Sequence, residues 1–252
     1  MRPRIRVLVC CLILVPAPAA QALRGESAAA ERPRTIRTMR LMSEALGSVR
    51  QFGLLLPPDY ETSARRYPVV YLLHGSGQQH ATWGRPTLLD HTTNAIIVMP
   101  DMDRTRYALS DGGVDPRVET FITQELVDDI DATYRTLPSR ESRAIAGLSI
   151  GGLGAMLLGL RHPDRFGAIG SFSAPLNSLG NGGLLMVFGG FRPSPLIYVG
   201  CGIADSLLPA SRRFAALLQD QQIARTYEEG PGAHTWESWD WQLRSFLAML
   251  KF

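Results

Sequence analysis

Ala144-Ile145-Ala146-Gly147-Leu148-Ser149-Ile150-Gly151-Gly152-Leu153-Gly154-Ala155 is the stretch that decides how this chain folds. The apolar residues Ala144 to Ala146 suit a buried strand, and the small and aliphatic run from Leu153 to Leu160 suits a helix. Between them Gly147-Leu148-Ser149-Ile150-Gly151 reads G-x-S-x-G, the pattern that places a serine on a sharp strand-to-helix turn, or nucleophile elbow. Such a turn holds the serine in a strained backbone conformation and pushes its Oγ clear of the sheet. Side chains two residues before and after it would collide, so both positions call for glycine. The helix that follows aims its first N–H groups and its dipole at charge developing beside the serine. In a chain with 24 glycines, the pentapeptide arises by chance in roughly one such sequence in ten, so its meaning depends on the surrounding chain.

Outward from the elbow, the pattern alternates strand and helix. Thr35–Met42 and Val49–Leu56 flank Gly47-Ser48 and read as an antiparallel pair at a sheet edge. Pro68–Leu73 and Asn94–Pro100 are continuous apolar runs, the mark of strands covered on both faces. Glu119–Tyr134 carries apolar residues at helical spacing. Beyond the elbow helix, strands are expected at Phe166–Phe172, Leu196–Gly200 and Arg225–Glu229, with helices at Leu207–Gln222 and Ser238–Leu250. This order predicts an α/β fold: a mostly parallel, doubly wound sheet with helices on both faces.

Composition sets the frame. The 252 residues suffice for one sizeable domain. The formal charge of +3 is matched by Arg2, Arg4 and Arg6 at the N-terminus, so the remainder is balanced. No basic stripe interleaved with aromatics suggests nucleic acid. Those arginines, the short apolar run Val7–Val15 and Ala20-Gln21-Ala22 read as a secretory signal over residues 1–22. Residues 23–34 then form a flexible leader and 35–252 the catalytic domain, in a secreted, periplasmic or cell-envelope protein with no membrane span once the signal is removed. The alternative is an uncleaved N-terminal anchor. Cys10 and Cys11 leave with the signal, and Cys201 remains as a lone packed thiol. No cluster has metal-ligand spacing and no phosphate loop is complete, so neither metal nor cofactor is expected.

A serine hydroxyl becomes a nucleophile when a neighbour takes its proton. His234, in the glycine-rich loop Gly230–Trp236 between the last strand and last helix, falls at the carboxyl ends of the strands with the elbow. Asp205 follows the strand Leu196–Gly200 and falls at the same edge. His162, at a helix end before proline, reads as structural; His74 orients backbone; His80 and His91 carry no supporting pattern. The order Ser149, Asp205, His234 is the nucleophile, acid, base order of an α/β-hydrolase. The N–H of Ile150, and that of Ser76 in the turn His74-Gly75-Ser76-Gly77, are the expected oxyanion donors. Trp83 and Trp236, with the apolar residues 184–188, are candidates to line the substrate site.

The chain resembles the putative-esterase branch of the α/β-hydrolases, the group of S-formylglutathione hydrolases, feruloyl and acetyl-xylan esterase domains and antigen 85-type mycolyltransferases. Val70-Tyr71-Leu72-Leu73-His74-Gly75 with Trp83, Val98-Met99-Pro100-Asp101, the elbow, Arg161-His162-Pro163-Asp164-Arg165-Phe166, and Gly232-Ala233-His234-Thr235-Trp236 with Trp239 carry the resemblance. It implies that Ser149, Asp205 and His234 form the triad, that Ser76 and Ile150 supply the oxyanion N–H groups, and that the short segment 174–195 leaves no room for a large cap domain. The expected activity is a secreted, cofactor-free serine esterase of a bacterial kind, acting on small-molecule, polysaccharide or lipid esters. An acyltransferase passing the acyl group to a sugar or alcohol is the alternative, and a non-catalytic binding protein on the same scaffold the remote one.

Overall fold

A computed structural model describes residues 34–85, 94–102, 114–179 and 194–251. The expected signal, most of the leader, His91, the apolar run 184–188 and much of the segment 174–194 fall outside the described residues. Arg34, expected in the leader, is instead anchored: its Nε and Nη2 donate to the carbonyl oxygen of Leu56 at 3.2 and 2.9 Å.

Eight strands form one sheet: β1 (Arg37–Ser43), β2 (Ser48–Leu55), β3 (Val69–Leu73), β4 (Ile96–Pro100), β5 (Arg143–Leu148), β6 (Ala168–Phe172), β7 (Leu196–Gly202) and β8 (Thr226–Gly230). Their order across the sheet is β1-β2-β4-β3-β5-β6-β7-β8. β1 and β2 pair as the expected antiparallel hairpin, Met42 opposite Val49, and β2 joins β4 antiparallel; every later neighbour is parallel. Parallel strands need crossovers, and helices supply them. They are α1 (Pro116–Thr120), continued through the π-helical stretch Phe121–Glu125 into α2 (Leu126–Thr133), then α3 (Ile150–Arg161), α4 (Leu208–Asp220) and α5 (Trp236–Met249). The first helix starts earlier than its apolar spacing predicts, because Asp115 accepts the Arg117 N–H at 2.9 Å as an N-cap and Pro116 presets the backbone.

The strand residues divide by period two between two cores. Val69, Tyr71, Leu73, Ile145, Ile197 and Val199 join α1 to α4 on one face of the sheet. Val70, Leu72, Ala144, Ala146 and Tyr198 join Trp83 and α5 on the other. With both faces covered, β3, β4 and β5 are buried along their whole length, which is why their sequences are apolar apart from Arg143 at the start of β5, paired with Asp131 at 2.5 Å.

Candidate active site

The turn after β5 is as tight as its glycines imply. Ser149 sits at φ 54°, ψ −126°, a left-handed conformation rare for a residue with a side chain. A Cβ on Gly147 would lie 2.5 Å from the Gly151 backbone. The neighbouring strand fixes the turn through Ser149 N–H, which donates to the Phe172 carbonyl at 2.8 Å.

Three loops then meet at the carboxyl edge of the sheet. His234 Nε2 stands 3.0 Å from Ser149 Oγ, and His234 Nδ1 stands 2.9 Å from Asp205 Oδ2. An ionised carboxylate only accepts, so Nδ1 carries the proton and the Nε2 lone pair of the neutral ring faces the serine hydroxyl. The Asp205 side chain is 0% exposed while that of His234 is 36% exposed, so the carboxylate is shielded and the imidazole is open to solvent. Asp205 is set by the Leu207 N–H, which donates to its Oδ1 at 2.9 Å. The Asp205 and His234 loops are laced together by Ile203 N–H to the Gly230 carbonyl at 2.8 Å and Ala204 N–H to the Gly232 carbonyl at 3.0 Å.

The loop after β3 packs against the elbow: a Cβ on Gly75 would lie 2.7 Å from Leu148 Cδ1. Ser76 is exposed on this loop, and Ile150, the first residue of α3, is half-buried. His74 acts on backbone. Its Nδ1 donates to the Gly75 carbonyl at 2.8 Å and its Nε2 accepts the Met102 N–H at 3.1 Å, which fixes a neutral tautomer. Gln78 Oε1 accepts the Gly75 N–H at 3.0 Å.

Two side chains that sequence reading left without a role complete this support. His80 and Asp101 are both buried, with His80 Nδ1 2.6 Å from Asp101 Oδ2 and the His80 N–H donating to Oδ1 of the same carboxylate. His80 Nε2 lies 2.9 Å from Thr38 Oγ1 on β1. Asp101 thus clamps the β3 loop to the end of β4, and β1 buttresses the clamp. Gly53 on β2 makes the space, since a Cβ there would lie 3.1 Å from the His80 ring. A cavity of about 290 Å³ opens beside the clamp, lined by Ile36, Thr38, His80 and Ala81 among others, and none of Ser149, Asp205 and His234 lines it.

The aromatic candidates divide. Trp236 is half-buried beside His234. Trp83 is 2% exposed, which corrects the expectation that it contacts substrate: its ring is spent in packing, edge-on to Trp236 at 5.5 Å. Trp239 links them to His234, 5.3 Å from Trp236 and 5.0 Å from the His234 ring, each contact edge-to-face. His162 Nε2 lies 2.7 Å from Oε1 of the buried Glu119 carboxylate, which also accepts from Arg161 Nε at 2.8 Å, at the end of α3. Among the described residues no group of acidic, histidine and cysteine side chains is placed to hold a metal ion, and no helix is long and apolar enough to cross a membrane.

The family profile described as putative esterase matches residues 43–190. An esterase of Mycobacterium tuberculosis is 36% identical over 154 residues, which are 58% of this chain and 34% of that protein. An endo-1,4-beta-xylanase/feruloyl esterase of Xylanibacter ruminicola is 30% identical over 185 residues, 66% of this chain and 24% of that protein. The match thus spans about a third or less of these relatives' length. Among solved structures, a ferulic acid esterase superposes with a TM-score of 0.74 at 26% identity, covering 86% of this chain and 97% of that one. The S-formylglutathione hydrolase of Staphylococcus aureus has the same fold, with a TM-score of 0.73 at 21% identity over 86% of this chain and 98% of that one.

Proposed function

The chain belongs to the putative esterase family, and from that premise we propose that it is an exported serine esterase in which Ser149, His234 and Asp205 carry the reaction through an acyl-enzyme. The observation that supports this most directly is the unbroken run Ser149 Oγ–His234 Nε2 at 3.0 Å and His234 Nδ1–Asp205 Oδ2 at 2.9 Å, on an elbow serine held at positive φ.

Ser149 Oγ attacks the ester carbonyl carbon while His234 Nε2 takes its proton. The imidazolium is stabilised by Asp205, which stays ionised. The tetrahedral oxyanion accepts hydrogen bonds from the N–H groups of Ile150 and Ser76, each worth about 2.7–4 kcal/mol in the transition state. Collapse breaks the C–O bond to the alcohol, which leaves with the proton from His234. Water then attacks the acyl-enzyme with His234 again as base, and the acid departs. The N-terminal signal pattern supports export, and a feruloyl esterase among the relatives supports esters displayed on polysaccharide as substrates. The exposed base and half-buried Trp236 suit a site reached from open solvent.

The test is hydrolysis of p-nitrophenyl acetate, butyrate and octanoate by the chain and by Ser149→Ala. The expected result is turnover that falls at least about 10⁴-fold in the variant; equal rates in both proteins overturn the assignment. Glycerol added to the same assay reads how the acyl group partitions between water and a hydroxyl acceptor.

A further inference from the structure

Behind the triad, on the side away from solvent, lies a set of polar side chains that the chemistry above does not use. Gln242 on α5 is 0% exposed, as are Ser173 after β6 and Ser238 in the first turn of α5. Gln242 Nε2 donates to Ser238 Oγ at 2.8 Å and to Ser173 Oγ at 3.2 Å. A buried amide with two hydroxyl partners is a costly group to place in a core, and packing alone would be served by leucine.

Each partner leads to a different part of the triad. Ser173 directly follows Phe172, whose carbonyl accepts the Ser149 N–H at 2.8 Å, and Ser173 itself is held at φ 46° with its N–H on the Gly200 carbonyl of β7 at 2.8 Å. Ser238 lies four residues after His234, and the His234 loop presses on it: a Cβ on Gly232 would lie 3.1 Å from Ser238 Cβ. The Asp205 loop presses on it too, since a Cβ on Gly202 would lie 2.7 Å from Ser238 Oγ. Gly200 is bare for the same reason, as a Cβ there would lie 2.9 Å from Gln242 Cγ. The supports of all three loops thus converge on one amide.

We propose that Gln242 is a positioning residue that sets the separation of Ser149 and His234, by bonding the Ser173 corner behind the nucleophile to the Ser238 turn behind the base. The inference rests on the esterase reading. Nothing in it requires Gln242 to touch substrate. Its amide hydrogen-bonds the strand end that fixes the elbow to the helix that follows the His234 loop, where Phe172 and Phe246 make only a ring contact at 5.9 Å. A shift of a few tenths of an ångström in either would lengthen the bond that transfers the proton, and rate depends steeply on such geometry.

The test is Gln242→Met, which keeps the volume and removes both donors, with Ser238→Ala as a milder variant that severs one arm. Both are assayed on p-nitrophenyl acetate, and Ser149 is labelled in each by a fluorophosphonate. Ile130→Val, a core change on α2 remote from these loops, serves as a control for lost stability. The expected result is kcat down roughly tenfold or more in Gln242→Met, KM within about twofold, a matching slowing of labelling, and a smaller drop of the same kind in Ser238→Ala, with Ile130→Val unchanged. If Gln242→Met does not fold, the Ser238→Ala result decides. Unchanged kcat and labelling rate in a folded Gln242→Met, or in Ser238→Ala when only that variant folds, overturn the inference while the esterase reading stands. Parent activity or labelling that survives Ser149→Ala overturns the esterase reading itself.

Discussion

Gly151 lies so close to β3 that a Cβ on it would stand 2.3 Å from the carbonyl oxygen of Leu73, with the carbonyl of His74 at 2.5 Å. The elbow helix therefore rests directly on the backbone of the strand that launches the loop carrying Ser76. Both groups are main chain and neither can rotate away. Gly151→Ala is expected to destabilise the protein at the upper end of the ~1–3 kcal/mol typical of overpacking, or beyond it. Gly47→Ala, at φ +63° with nothing within 4 Å, is expected to lose only about 1 kcal/mol of stability, through the backbone strain it introduces. Urea denaturation midpoints of the two variants make the comparison, and similar losses would refute it.

The Asp101 carboxylate takes two donors from His80, and both residues are buried. Asp101→Asn keeps the shape but turns an amide N–H toward one of those donors. The expected cost is about 1–3 kcal/mol of stability. Because the clamp holds the loop that carries Ser76, kcat is expected to fall roughly tenfold or more with little change in KM. Kinetics and denaturation on the same preparation check both. A stability loss with kcat intact would make the clamp purely structural.

Glu229 on β8 is held well below the ordinary carboxylate range, to about 2. The hydrogen bonds from the Arg212 guanidinium are the main cause, with the Tyr227 hydroxyl at 2.7 Å adding to them. A carboxyl whose pKa is lowered by folding stabilises the native state fully above its unfolded value of 4.5 and loses that contribution as pH falls toward 2. Melting temperature is therefore expected to drop less between those pH values in Glu229→Gln than in the parent. Parallel curves would show that the pair contributes nothing, as many exposed pairs do.

Cys201 lies in β7 with no exposed surface, and burial pushes its thiol above the ordinary value of 9.0. A buried, protonated thiol is a poor nucleophile. Iodoacetamide at pH 7.5 is expected to leave Cys201 unmodified in the native protein and to alkylate it fully in guanidinium, read by peptide mass mapping. Rapid native labelling would mean that β7 opens far more readily than its position in the sheet implies.

Much of this was written locally in the chain. Continuous apolar runs marked β3 and β4, and the short run Ala144–Ala146 marked β5, because strands covered on both faces need no polar alternation. The Gly47 turn marked the β1–β2 hairpin. The elbow was legible because strain at one serine requires glycine two positions either side, a constraint within five residues. That Asp205 and His234 come near Ser149 was legible because each follows a strand in a parallel sheet, and such strands all end at one edge.

Tertiary structure alone decided what depends on which loops meet at that edge. His80 pairs with a carboxylate 21 residues away, and Gln242 bonds a serine 69 residues away; neither position differs in sequence from an idle polar residue. Trp83 looked like a ligand contact until α5 placed Trp236 against it and took its surface. Residue type and short-range spacing determine which element forms and which way its side chains alternate. The partner of a polar side chain is set by distance in three dimensions, after the sheet order has brought remote loops together, and no local pattern encodes that distance.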